Sequence, residues 1–366
     1  MTLNDAAQKF NNFQRPVAYF HVNGSLLPGE QLIYTSIQVN MSTGMEASDC
    51  TLEVVGQYSR FEDGKLQMDT SLDKLVLGAK LEVFLGYGES KNAQSVFVGY
   101  ISSQEIDIQG DRVAVIVTAM DCKQFMMNSY RSLQKKGITK YSEAVNDVLK
   151  NYTALYKSKQ VEVSAEVLAP IEQHNQSDYD FVVSLAKRLN YLFYVAQDTV
   201  YFVSYKKFTN SLLTVEPGEN LRRFRREVTL ANQVKSVTVR NHNTEDASKP
   251  FEAKATAVTG VGGGKKAGAD ATKLITATME KVVADGSVRS EAESKARAQA
   301  LLDQMSMGFL TGTIELSGIP ILFPGHMITL KGFNKDLNRD YFITKVVHHL
   351  DRDGFDTTVH IAGNKM

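Results

Sequence analysis

Residues 97–119 read FVGYISSQEIDIQGDRVAVIVTA, and they decide the class of fold. Phe97 to Ile108 is one long strand-like run, Gly110-Asp111 a turn, and Asp111 to Ala119 a second run. In the second run Val113, Val115 and Val117 alternate with Arg112, Ala114, Ile116 and Thr118, the period of two expected of a strand. A hairpin is therefore predicted here. Working outward, Val17 to Val22 ends at Asn23-Gly24, a pair that favours positive φ and tight turns. Ile33 to Val39, Thr51 to Val55 and Leu81 to Leu85 are further strand-like runs. Many short strands with almost no helix signal predict a sandwich or barrel for this third of the chain.

From Lys123 the pattern changes. Ser142-Glu143-Ala144-Val145 opens a short helix with apolar residues at 145, 148, 149 and 152. A stronger helix starts at Ser177, with Asp180 three residues on as a reciprocal cap. Phe181, Val182, Leu185, Ala186 and Leu189 then make one apolar stripe. Leu192 to Val195 and Val200 to Val203 follow as a hairpin turning near Gln197-Asp198. After Pro217-Gly218 strands resume, interrupted over 241–288 by polar sequence and then by a helix from Ser290 to about Met305. Asp340 to His349 and Phe355 to Ala362 close the chain as strands.

The two strand-rich ends share a spacing. Gly78, seven residues, Gly86-Tyr87, nine residues, Phe97, twelve residues, Gly110 is matched by Gly325, six residues, Gly332-Phe333, seven residues, Tyr341, twelve residues, Gly354. Both Gly110 and Gly354 are predicted at hairpin tips. The spacing predicts an α+β, mainly β chain with two related β-barrel domains, 1–122 and 211–366, flanking a small α/β module at 123–210. The second barrel would carry a flexible and helical insertion at about 241–307.

Bulk properties narrow the function. Lys+Arg and Asp+Glu are both 41 among 366 residues, so there is no basic surplus of the kind nucleic-acid binders use. The two cysteines, Cys50 and Cys122, have no metal-ligand spacing. The N-terminus lacks the pattern of a secretory signal, and no apolar run reaches the roughly 20 residues a bilayer span needs. Synthesis in the cytoplasm with reduced thiols is expected.

No catalytic or cofactor motif emerges. In Gly260-Val261-Gly262-Gly263-Gly264-Lys265-Lys266 the residue after Lys266 is Ala267, not Ser or Thr, so the phosphate-loop pattern fails and a flexible loop is expected. His348 and His349 are neighbours on a strand and point to opposite faces, which speaks against a shared metal. Glu105, Asp107 and Asp111 lie along surface strands, without the poised pair that glycoside hydrolysis needs.

Gln173-His174-Asn175-Gln176-Ser177-Asp178-Tyr179-Asp180-Phe181, followed by Leu185-Ala186 and Phe193-Tyr194-Val195, resembles the phage late-control D family. That family includes tail hub proteins and the N-terminal part of the VgrG spike proteins of type VI secretion. Pro324-Gly325, Gly332-Phe333, Tyr341-Phe342-Ile343 and Val347-His348-His349 before Gly354 extend the resemblance. One departure is Asn190-Tyr191, where the family usually has Gly; Asn also accepts a left-handed helix end. A second is the end of the chain at Met366, which implies a separate spike protein.

The resemblance implies a non-enzymatic baseplate hub of a contractile phage tail, bacteriocin or other injection particle. It would be a homotrimer joining a hexameric tail tube to a trimeric spike, in contact with other baseplate proteins, with no cofactor, small-molecule substrate or resting membrane contact. Arg222-Arg223-Phe224-Arg225-Arg226 would then face solvent, a neighbouring subunit or DNA in the channel. A tail-tip peptidoglycan hydrolase is the alternative. A glycan-binding β-protein is a third reading, disfavoured because the chain has no Trp for stacking.

Overall fold

The N-terminus begins with a helix that the strand-dominated pattern hid. Thr2 and Asp5 cap each other's backbone N–H groups and start α1 (Leu3–Lys9). In the computed structural model, residues 1–366 are described except 28–33, 56–58, 63–64, 69–73, 110–111, 208, 219, 244–245, 247, 273–274 and 276–277. The first strands are β1 (Pro16–Val22), β2 (Ser25–Leu27), β3 (Tyr34–Ser42), β4 (Asp49–Val55), β5 (Ser59–Glu62) and β6 (Lys65–Met68). They continue with β7 (Lys80–Tyr87), β8 (Gln94–Gln109) and β9 (Arg112–Met120). Asn23 and Gly24, at φ 50° and 81°, make the two-residue loop between β1 and β2.

The central region holds α2 (Lys123–Met127), β10 (Tyr130–Gln134), α3 (Tyr141–Leu149), β11 (Ser158–Val161) and β12 (Glu172–Ser177). It ends in α4 (Asp178–Leu189), β13 (Tyr191–Ala196) and β14 (Thr199–Ser204). β14 lies between antiparallel β13 and parallel β11, and α3 and α4 pack on this sheet through Val145, Val148, Phe181 and Leu185.

The last region holds β15 (Ser211–Val215), β16 (Leu221–Val228), β17 (Ser236–Asn241), β18 (Phe251–Ala255), α5 (Gly268–Ala271) and β19 (Glu280–Ala284). It continues with α6 (Glu291–Ser306), β20 (Leu310–Ser317), β21 (Met327–Leu330), β22 (Asp340–Asp351) and β23 (Gly354–Gly363). The polar stretch expected merely to interrupt the strands contains two of its own. β18 and β19 flank β17, and this sheet buries Val237 and Val239 against Ala298 and Leu302 of α6. The Gly-rich stretch expected to be a flexible loop is instead tied down. The N–H groups of Lys265 and Lys266 both donate to the Met366 carbonyl at 2.9 Å, and that of Gly263 to the Asp340 carbonyl.

Strands take 46% of the residues and helices 20%, so the chain is α+β with β dominant. One sheet runs β16-β20-β23-β22-β3-β4-β9-β8-β7-β1-β2, with β21 on β22 and β15 on β21. Within it the order β3-β4-β9-β8-β7 repeats as β16-β20-β23-β22-β21, every neighbour antiparallel. The irregularities repeat as well. A bulge between Ile101 and Ser103 matches one between Ile343 and Lys345, and one at Tyr34/Ser36 matches one at Leu221/Arg223. The two five-strand units join through β22 and β3 and share a core that includes Ile37, Val117, Val346 and Val359. Among the described strands no pairing closes either unit into a barrel.

The ladders also correct the sequence spacing. Gly78 and Gly325 do correspond: both have φ above 80°, and their N–H groups donate to the equivalent Ile101 and Ile343 carbonyls. Phe97 and Tyr341, and Gly86 and Gly332, do not. β8–β9 closes with Gln109 opposite Arg112, and β22–β23 with Asp351 opposite Gly354. Gly354 therefore opens a strand instead of sitting in the loop, while Gly110 lies outside the described residues. On the same register Tyr341 falls at the place of Gly99, two residues from Phe97. Gly332 has φ 79° beyond the end of β21, whereas Gly86 lies inside β7. A slip of two preserves the inward face of each side chain, so spacing alone cannot detect it.

Candidate assembly surface

The residues of the 173–186 motif build the fold from inside. Ser177 caps α4, its hydroxyl accepting the Asp180 N–H at 2.9 Å. The reciprocal bond differs from the expected box, because Asp180 accepts from the Ser177 hydroxyl itself. Asp178 is fully buried and fully partnered: Gln173 Nε2 at 3.0 Å, the Tyr152 hydroxyl at 2.8 Å and Arg131 Nε at 3.2 Å all donate to it. One carboxylate thus ties β10, the turn after α3 and β12 to the start of α4. Phe181, Leu185 and Ala186 are buried in the module's core. Asn190 takes the left-handed cap with φ 54°. The Asp178 carboxylate itself is enclosed by these partners.

Two strand edges contrast with it. β22 is flanked along its outer side by β21 at Asp340–Phe342 and by β3 at Lys345–Asp351. β8, its counterpart, is flanked by β7 at Gln94–Tyr100, and among the described residues no strand pairs with Ser103–Gln109 on that side. Likewise the outer edge of β3 is taken by β22, whereas no described strand takes the outer edge of β16. Large apolar side chains are exposed at both places: Ile106 at 51% and Ile108 at 50% on β8, Val228 at 37% and Leu230 at 38% at the end of β16.

The basic run lies on β16. Arg222 pairs with Asp356, Arg223 with Glu315 at 3.7 Å and Arg225 with Glu227 at 3.9 Å. Arg226 donates to the Asp336 carbonyl. All are partly exposed, so these pairs hold the side chains only weakly.

The chemical candidates are dispersed. Glu105 stands exposed and Asp107 half-exposed on the free part of β8, and Asp111 lies outside the described residues. Burial pushes the Asp121 carboxyl up, yet it is sealed between the Ser48 and Lys123 N–H groups, with Lys123 Nζ 3.7 Å away. His348 is buried and His349 half-exposed, on opposite faces as expected. Burial lowers His348 to about 3, so it stays neutral, with Nδ1 2.9 Å from the Thr357 hydroxyl. Cys50 and Cys122 are buried, and burial raises both thiols. Among the described residues no group of three or more His, Cys, Asp or Glu is placed to hold a metal.

The fold is that of phage tail proteins. A 43 kDa tail protein of prophage MuSo2 from Shewanella oneidensis aligns over 94% of this chain and 98% of its own, with a TM-score of 0.69 at 12% identity. A tail protein from Neisseria meningitidis aligns over 95% and 96%, with a TM-score of 0.69 at 14% identity. An Escherichia coli component of the type VI secretion system, described as structurally similar to the T4 tail proteins gp27 and gp5, aligns over 93% of this chain and 76% of its own. Its TM-score is 0.54 at 11% identity. No curated protein matches by sequence. The family model described as the Alg8 N-terminal domain matches residues 22–352, and the chain belongs to that family.

Proposed function

We propose that the chain is a non-catalytic baseplate hub of a contractile phage tail or a related injection particle. It acts as a homotrimer, with one side receiving a hexameric tail tube and the other a separate trimeric spike, among other baseplate proteins. The observation that carries this reading is the repeated strand order. Three copies of a chain with two like units offer six docking positions, which relieves the mismatch between a six-fold tube and a three-fold spike. The tail-protein fold supports the same role. Residues 1–122 and 211–366 would carry the two related units and 123–210 the bracing module, as in the late-control D and VgrG-like hubs. The protein would be made in the bacterial cytoplasm and leave it as part of a tail or tail-like particle; no described helix is long and apolar enough to cross a membrane.

Cryo-EM of the parent particle with this chain labelled tests the reading. Three copies at the joint between tube and spike are expected. One or six copies, or a position elsewhere, would overturn it. A muralytic assay on the purified chain should be negative; activity there would favour the hydrolase.

A further inference from the structure

The two unpaired edges are counterparts of the two edges that already pair inside the chain. Ser103–Gln109 on β8 stands where Lys345–Asp351 stands on β22, each starting just past the equivalent bulge. The outer edge of β16 stands where the outer edge of β3 stands, again past an equivalent bulge. Since β22 and β3 pair along those segments, the molecule contains a worked example of the contact its free edges can make. From this we infer that β16 of one copy pairs antiparallel with Ser103–Gln109 of β8 on a second copy. The inference rests on the homotrimer reading and specifies its interface.

Carrying the β22–β3 register across the repeat sets the partners. Ile108 would lie opposite Phe224, as Leu350 lies opposite Ile37. Asp107 would lie opposite Arg225, and Gln104 opposite Val228. The apolar side chains then fall on one face. Ile106 and Ile108, half-exposed in the single chain, would meet Phe224 and Val228 and continue the core. Arg226, opposite Ile106, can lay its methylenes over that side chain while its head stays on the Asp336 carbonyl. On the other face Asp107 complements Arg225. Glu105 opposite Glu227 is the one like-charged pair, with Arg225 near Glu227 and diagonal to Glu105.

Among the described residues, no strand of the segment beside β8 pairs with this edge. Leu75, whose carbonyl accepts from the Gln104 amide, is buried at the place Leu322 takes in the other unit, where the β22–β3 pairing forms beside it. Arginines along an edge strand can also serve to keep other strands away. Three exposed apolar residues, Ile106, Ile108 and Val228, on the face that also carries the half-buried Phe224, argue against that role here. The contact is head-to-tail, with different surfaces on the two copies, so repetition gives a ring if the rotation closes. Three copies would alternate the two kinds of unit six times.

Cysteine trapping tests the register, and the native thiols do not interfere because both are buried. Glu105→Cys and Glu227→Cys are placed on separate chains, mixed and mildly oxidised. The pair also removes the like-charged contact. A cross-linked dimer is expected, in yield at least ten-fold above the mixture of Glu105→Cys with Arg225→Cys, whose diagonal positions are too far apart for a good bridge. The doubly substituted chain should give covalent trimers. Equal yields from both mixtures, or none from the first, would overturn the pairing. Separately, Arg225→Asp should weaken self-association measured by sedimentation, and Asp107→Arg in the same chain should restore it. No rescue would count against the register. Trimers in sedimentation whose Glu105→Cys and Glu227→Cys positions fail to cross-link would sink this interface and leave the hub reading standing; the particle's copy number tests the latter independently.

Discussion

The hairpins β8–β9 and β22–β23 have the same bulge, the same two-residue separation at the tip and the same neighbours on one side, yet their outer halves live in different surroundings. In β22–β23 both outer edges are covered, by β3 and β20, and the strand leaving the exposed tip is anchored: Phe355 packs 5.7 Å from Tyr87 and against Gly318. In β8–β9 the outer half carries Ile106 and Ile108 in the open. His348, which no solvent reaches, stands where Ile106 stands. One scaffold has thus been used twice, once with its edge satisfied inside the chain and once with it left for a partner. Position in the sheet, more than strand sequence, decides how much each side chain contributes to the stability of the single chain.

The largest effect expected from this contrast is at Phe355. Removing its ring leaves a cavity beneath Tyr87, so Phe355→Ala should destabilise the chain by about 3–5 kcal/mol in urea unfolding. A loss below about 1 kcal/mol would mean that Phe355 does not anchor this end of the hairpin.

Acid should separate the two hairpins next. His348 has its protonation suppressed to about 3 in the folded chain, against 6.5 ordinarily. Between those values the unfolded chain binds a proton that the folded one does not, so stability falls as pH drops below 6.5 and the loss is complete near 3. Its share by pH 4 is roughly 3 kcal/mol. His348→Leu should remove that share of the decline, whatever the carboxylates add, and an unchanged pH profile would contradict it. Nothing comparable exists at Ile106.

The equivalent glycines offer a third contrast. Gly78 has φ 81° with open space around a Cβ, whereas at Gly325, φ 86°, a Cβ would collide with the Tyr194 phenol. Gly78→Ala should therefore cost about 1 kcal/mol, from backbone strain alone, and Gly325→Ala about 3 kcal/mol, from strain plus the clash. Equal losses by thermal melting would show that the phenol moves aside freely. The smallest effect is expected at Ile108. Ile108→Asn should alter the stability of the single chain by less than about 0.5 kcal/mol. It should nonetheless weaken self-association in sedimentation.

Much of this was legible in the residues. Alternation over 112–119, the Asn23-Gly24 turn and the Ser177 cap each have local physical causes, and local causes survive into the fold. Repetition was legible too, but its register was not, because a two-residue slip keeps the pleat in phase and only ladders reveal it. α1 was missed although Thr2 and Asp5 advertised it; seven residues of helix are a weak periodic signal. β19 was missed for a different reason. Its sequence, EKVVA, has Val282 mostly exposed and Val283 half-buried, so it is a strand made by its neighbours. The free edges could not be read at all, since an unpaired edge is a property of topology and not of composition.

The join between the units also has a mechanical side. They are linked by seven consecutive rungs, Lys345–Asp351 on Ser36–Ser42, with no hinge segment between them. A pull along the strands loads those rungs together in shear, while a pull across the sheet would open them one after another like a zip. The chain is accordingly stiff in one direction and comparatively weak in the perpendicular one. A force delivered along the strands would pass from one half of the molecule to the other without first taking up slack.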